Sequence, residues 1–91
     1  MNLYTKNGRP LQVAGDKVYS GSGQIVGRIK EDGVFETDGR YVGTIVNDRL
    51  VYRSTHSARI GSPFAAANRA GTGRAHHAGS GLWGDEPNIP D

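Results

Sequence analysis

The chain contains no cysteine, so neither a disulfide nor a thiolate metal site can brace it. That absence says nothing about compartment. Long apolar runs are missing too: no stretch approaches the roughly 18 residues a membrane helix needs. The N-terminal MNLYTKNGRP carries no signal-peptide pattern, so a soluble, cytoplasmic protein with no membrane partner is the expectation. Export by a route without an N-terminal signal stays open. Charge of one sign is scarce, with a formal net charge of +2. The basic residues of 1–64 are Lys6, Arg9, Lys17, Arg28, Lys30, Arg40, Arg49, Arg53 and Arg59, and they are scattered along the chain. No run of them reads as an electrostatic footprint. At 91 residues the chain fits one small domain with a modest buried fraction. Self-association or a protein partner is therefore expected.

What is present is repetition. One unit reads VYSGSGQIVGRIKEDG from Val18, and the next reads VFETDGRYVGTIVNDRL from Val34. Each has a valine, an aromatic (Tyr19, Phe35), a glycine four residues on (Gly23, Gly39), then V-G-x-I (Gly27 and Ile29, Gly43 and Ile45). The pattern wears outward. The first unit keeps Tyr4, Gly8 and Leu11 but has Gln12 for the second glycine. The fourth keeps Tyr52, has His56 at the turn position, then Ile60 and Gly61.

Strand-sized runs lie at 2–6, 10–14, 17–21, 24–30, 34–36, 40–46, 49–54 and 58–61. Turn pairs divide them at Asn7-Gly8, Gly15-Asp16, Ser22-Gly23, Asp32-Gly33, Asp38-Gly39 and Asn47-Asp48. Pro10 fits only a strand start or an edge. The expected fold is all-β: four imperfect hairpin repeats around an axis with approximate four-fold symmetry, then a short helix and an irregular tail. A conventional small barrel is the alternative.

Gly43 interrupts a good strand. A two-residue loop at Asn47-Asp48 sets Gly43 opposite Tyr52, with Tyr41, Gly43, Ile45, Leu50 and Tyr52 on one face and Val42, Thr44, Val46 and Val51 on the other. A three-residue loop at Lys30-Glu31-Asp32 sets Gly27 opposite Phe35. A two-residue loop at Gly15-Asp16 sets Gln12 opposite Tyr19. On this register an aromatic ring covers each glycine. The competing reading is a bend or bulge with no covering ring.

The units VYSGSGQIVGRI and VFETDGRYVGTI, with the following DRLVYRSTHSARIGSPF, resemble the four-fold beta flower proteins. These are small, mostly bacterial proteins of β-hairpins set with approximate four-fold symmetry. The resemblance covers residues 3–64. It implies a fold, and it brings no established activity and no catalytic residue. Gln12 and His56 stand where the central units have glycine, so the repeat is not strictly symmetric in sequence.

No catalytic, cofactor-binding or metal-ligating residue is assigned. His56 lies near Ser54 and Ser57, and Asp48 can approach across a turn, but no spacing enforces a triad. Adjacent His76 and His77 in an irregular segment do not by themselves form a metal site. GSG at 21–23 and GTG at 71–73 lack the Lys-Ser/Thr ending of a phosphate loop. Glu36 and Asp38 read as turn chemistry.

The chain divides at Phe64 into a repeated β-hairpin domain, 1–64, and an Ala/Gly-rich tail, 65–91. The tail shows no periodicity of strand or helix. Ser62 as N-cap, Pro63 at the first helical position and Gly71 as a stop predict the helix over 62–71. Leu82, Trp83 and Ile89 are its apolar residues, and Trp83 is the candidate docking residue. Asp85, Glu86 and Asp91 are set to lie on the mildly basic front part. The functional expectation is a non-enzymatic structural or protein-interaction module. The alternative is a small binder of nucleic acid or another anion, with Tyr19, Phe35, Tyr41 and Tyr52 interleaved with arginines. Convergence of Arg28, Arg40, Arg49, Arg53 and Arg59 on one concave face distinguishes the second from the first.

Overall fold

Valine, isoleucine, threonine and tyrosine fill the runs between the turn pairs, and seven of those runs form strands. The computed structural model describes residues 2–90. The strands are β1 (Leu3–Thr5), β2 (Pro10–Ala14), β3 (Lys17–Ser20), β4 (Ile25–Lys30), β5 (Gly33–Phe35), β6 (Tyr41–Val46) and β7 (Arg49–Val51). They close into a barrel in chain order, each antiparallel to the next. A meander with an odd number of strands must close on a parallel pair. That seam is β1 against β7, with Tyr4 beside Arg49 and Thr5 beside Leu50. Pro10 opens β2, where its missing N–H costs no ladder bond.

One residue from each strand enters the core: Leu3, Leu11, Val18, Val26, Val34, Val42 and Leu50. Ile89 from the far end of the chain packs against this ring. A fully buried Val or Leu contributes on the order of 1.5–3 kcal/mol, so the ring is the main apolar source of stability.

Three two-residue turns, at 15–16, 31–32 and 47–48, lie at one end of the barrel. Each ends in an aspartate whose carbonyl accepts from a later or closing strand. Asp16 accepts from Ile29 N, Asp32 from Ile45 N, and Asp48 from Tyr4 N. The longer turns around Gly8, Gly23 and Gly39 lie at the other end.

The turn at 31–32 corrects one expected register. Glu31 takes a left-handed φ of 58°, Lys30 pairs with Gly33, and the loop is two residues rather than three. Phe35 therefore faces Arg28, one place from Gly27. Gln12 faces Tyr19, as expected. The β6–β7 ladder stops at Thr44–Val51, one pair short of Gly43, and Tyr52 instead bridges Asp85.

The V-G pairs sit at bulges. Val18 pairs with Gly27 and Tyr19 with Ile25, leaving Val26 as the extra residue. Val34 pairs with Gly43 and Phe35 with Tyr41, leaving Val42 extra. A bulge breaks strict alternation. Val42 and Leu50, assigned to opposite faces by alternation, both reach the core. No ring atom is among the three nearest neighbours of a Cβ placed on either glycine. A Cβ on Gly43 would stand 2.9 Å from Leu50 Cδ1, and one on Gly27 would stand 2.4 Å from the Phe35 carbonyl oxygen. Leu11 pairs in plain register with Leu3, so Gln12 needs no glycine.

Two further expectations change. Residues 58–61 form no strand; Ile60 makes an isolated bridge to Arg40, and Gly61 N donates to the Gly39 carbonyl. No helix forms over 62–71. The one helical element among the described residues is a 3-10 turn, Ser54–His56. The reason is where the amides go: Arg69 N donates to Gly23 O, which removes a donor an internal helix requires, and Phe64 N donates to Thr37 O, which holds the segment on the barrel.

Candidate functional site

The tail is an extended belt around the glycine-turn end of the barrel. It meets the turns in reverse chain order. Gly61 N donates to Gly39 O, Arg69 N to Gly23 O, and His77 N to Gly8 O, at 2.8, 2.7 and 2.8 Å. Asp85 and Tyr52 then exchange both backbone bonds at 2.8 Å. A second series runs three residues later: Phe64 N to Thr37 O, Thr72 N to Gly21 O, and Ser80 N to Lys6 O. The belt thus steps by eight residues, and each step advances one turn. The sequence holds a signal for this. Ala70-Gly71-Thr72-Gly73 is echoed by Ala78-Gly79-Ser80-Gly81. A search for periods of 2 and 3.6 does not find a period of eight.

The same steps cover the aromatics of the repeat. Gly61 lies against the Phe35 ring. Arg69 sits 5.4 Å from the Tyr19 centroid. His77 stacks on Tyr4 at 3.7 Å with 19° between planes. Asp85 bridges Tyr52. The turn glycines make room for this contact. A Cβ on Gly23 would lie 1.8 Å from the Arg69 carbonyl oxygen. The two glycine-rich pieces, 21–23 and 71–73, therefore meet one another.

The arginines are dispersed among separate partners. Arg40 pairs with Asp38 at 2.8 Å and Glu36 at 3.1 Å. Arg59 pairs with Asp32 at 2.8 Å and lies over Phe35. Arg49 pairs with Asp48 and donates to the carbonyls of Thr5, Lys6 and Ala78. Arg28 donates to Ser62 O and lies 4.7 Å from the Phe64 centroid. Arg53 donates to Trp83 O, with the indole 4.8 Å away. Arg28 and Arg53, which do not pair with acids on the barrel, hold the belt. Trp83 itself keeps 57% of its surface exposed.

The tightest attachment comes at the chain's end, through residues not singled out as a site. The Glu86 carboxylate accepts from Thr5 Oγ1 at 2.7 Å, Asn7 N at 2.8 Å and Arg9 Nε at 2.7 Å. Arg9 also donates to the carbonyls of Pro87 and Ile89. Pro87 is buried. Of the three tail acids, Glu86 lies against the basic front part, Asp85 bridges Tyr52, and Asp91 lies outside the described residues.

His56 joins a polar chain under the belt. Arg53 N–H donates to the Tyr41 hydroxyl, which lies 2.7 Å from Thr44 Oγ1; that oxygen lies 2.8 Å from His56 Nδ1. With Tyr41 donating to Thr44, the Thr44 hydroxyl donates to an unprotonated Nδ1. Ser57 Oγ donates to the Ser54 carbonyl, and Asp48 pairs with Arg49. His56 is thus joined to Thr44 and Tyr41 rather than arranged as a triad with Ser54, Ser57 and Asp48. His77 is on Tyr4, and His76 is exposed. Among the described residues no three His, Asp or Glu side chains converge as a metal ion requires. No helix among them is long and apolar enough to cross a membrane.

Three surface carboxyls are held below their ordinary value of 3.8: Asp38 by the Arg40 backbone amide and then its guanidinium, Asp32 by the Arg59 hydrogen bond, and Asp16 by Lys17. A lowered folded pKa means stability that is present above the unfolded value and lost as pH falls through the folded one. Urea midpoints are therefore expected to hold from pH 7 to about pH 5 and to fall below about pH 4. Asp38→Asn should lower the midpoint at neutral pH and leave it nearly unchanged below the folded pKa. Solvent screening keeps each contribution small.

Comparison with protein-family models, curated proteins and solved structures finds no match for the chain.

Proposed function

We propose that the protein is a non-enzymatic structural or protein-interaction module of the beta flower kind. One observation carries this reading: its arginines are engaged by nearby acids or by the belt, so they do not gather into a free anion-binding face. Two of the repeat aromatics support it as well. Tyr4 and Phe35 are 5% and 4% exposed and lie under the belt, which leaves them little surface for stacking bases. Ile60 and Trp83 face outward, at 78% and 57% exposed, and offer apolar surface to another chain.

Light scattering on the full chain tests the self-association part. A mass above 9.7 kDa that rises with concentration is the expected result. Gly23→Ala, which forces Arg69 away from the turn, should shift that association. A 9.7 kDa particle at every concentration, for both proteins, would remove self-association from the reading.

A further inference from the structure

Residues 86–90 do more than end the belt. They lie across the mouth of the barrel, where Ile89 rests on the core ring. The attachment reads a short linear pattern. Thr5, Asn7 and Arg9 together hold one carboxylate, and Arg9 then counts along the backbone to the carbonyls of Pro87 and Ile89. Thr5 is fully buried, so its hydroxyl is a built part of the site. Pro87 and Pro90 fix φ and bring no N–H that would need a partner. An extended segment of this kind loses little freedom when it binds.

Yet this occupant fills the mouth poorly. Cavities of about 500, 240 and 210 Å³ flank residues 88–90. Core residues from alternate strands reach them: Leu11, Val26 and Val42. The largest lies beside Ile89 and Pro90, over Pro10 and Leu11. An isoleucine side chain leaves that space open, whereas an aromatic one at the same place has room to enter it.

The geometry points to a peptide-recognition site at the barrel mouth, which the chain's own Glu-Pro-Asn-Ile-Pro occupies as a resident ligand. Its partner is an extended segment of another protein with the chemistry carboxylate, proline, any residue, large apolar side chain. Such a segment displaces residues 86–90 by making the same Arg9 and Thr5 contacts and filling the cavity beside Ile89. This deepens the interaction-module reading and rests on it.

The test uses two blocked fluorescent peptides, Glu-Pro-Asn-Ile-Pro and the same sequence with phenylalanine for isoleucine. They are titrated against the full chain and against the full chain carrying Glu86→Gln and Ile89→Ser, which weaken the resident segment. The double variant should bind the phenylalanine peptide at least about tenfold more tightly than the unmodified chain does, because the competing occupant is weakened. Changing the peptide's glutamate to glutamine should cost about tenfold or more, as should adding Arg9→Ala to the double variant. On the unmodified chain, excess phenylalanine peptide should shift the Ile89 methyl resonances as residues 86–90 leave the core ring, a readout that needs no variant to fold. No Ile89 methyl shift, or binding indifferent to the peptide's glutamate and to Arg9, overturns the site. Light scattering on the same samples separates the two readings. A chain that self-associates but ignores the peptides overturns the recognition site alone. A monomer that binds them removes self-association and leaves the site standing.

Discussion

Glu86→Gln is expected to cost about 3 kcal/mol of stability, the low end for uncoupling a buried ion pair. The low end applies because the Arg9 and Glu86 side chains keep 24% and 23% of their surface exposed. Glutamine retains one acceptor oxygen and turns an NH2 toward a donor. Three donors face this carboxylate, from Thr5, Asn7 and Arg9, so at least one is left without its acceptor. In a domain of this size the loss lowers the melting temperature by on the order of 15 °C. Arg9→Ala should cost a similar amount. The double variant should cost far less than the sum, because both changes break one network. Thermal and urea unfolding of the four proteins measure this. A loss within about 0.5 kcal/mol for Glu86→Gln would class the contact as an ordinary surface pair.

Gly27→Ala is expected to be worse still, and much worse than Gly43→Ala. Both glycines follow the extra valine of a bulge, so their repeat positions look equivalent. Their surroundings are not. A methyl on Gly27 meets the Phe35 carbonyl oxygen at 2.4 Å and carbon at 2.9 Å, which belong to a paired strand and cannot withdraw alone. A methyl on Gly43 first meets Leu50 Cδ1 at 2.9 Å, the end of a side chain, and its nearest backbone neighbour, Val51 O, stands farther off at 3.2 Å. Overpacking of the second kind costs about 1–3 kcal/mol, and the first should exceed that range. Denaturant midpoints of the two variants decide it. Equal losses would show that the bulges, rather than these particular contacts, demand glycine.

These two positions show how far the sequence could be read. The V-G pairs and the turn pairs marked the strands, and seven of the eight runs formed. Period-2 alternation then failed at Val26 and Val42, because a bulge adds a residue that alternation does not count. A one-residue error in the 31–32 loop moved Phe35 from Gly27 to Arg28, since a left-handed glutamate gives no glycine or asparagine signal. In the tail, helix signals at Ser62 and Pro63 were locally sound. They lost to hydrogen bonds offered by turns some 25–45 residues away along the chain. Glu86 looked like one acid among three, because nothing local distinguishes it.

The sequence by itself determined the all-β class, the turn positions and the repeated glycines, since these depend on propensity and spacing within a few residues. The tertiary structure decided the rest: the odd strand count with its parallel seam, the path of the belt, and the place of Glu86 on Arg9. Those outcomes depend on which distant carbonyls, rings and charges become neighbours once the barrel closes. Closure joins β1 to β7 and brings the chain's last residues onto Thr5, Asn7 and Arg9, about 80 positions earlier.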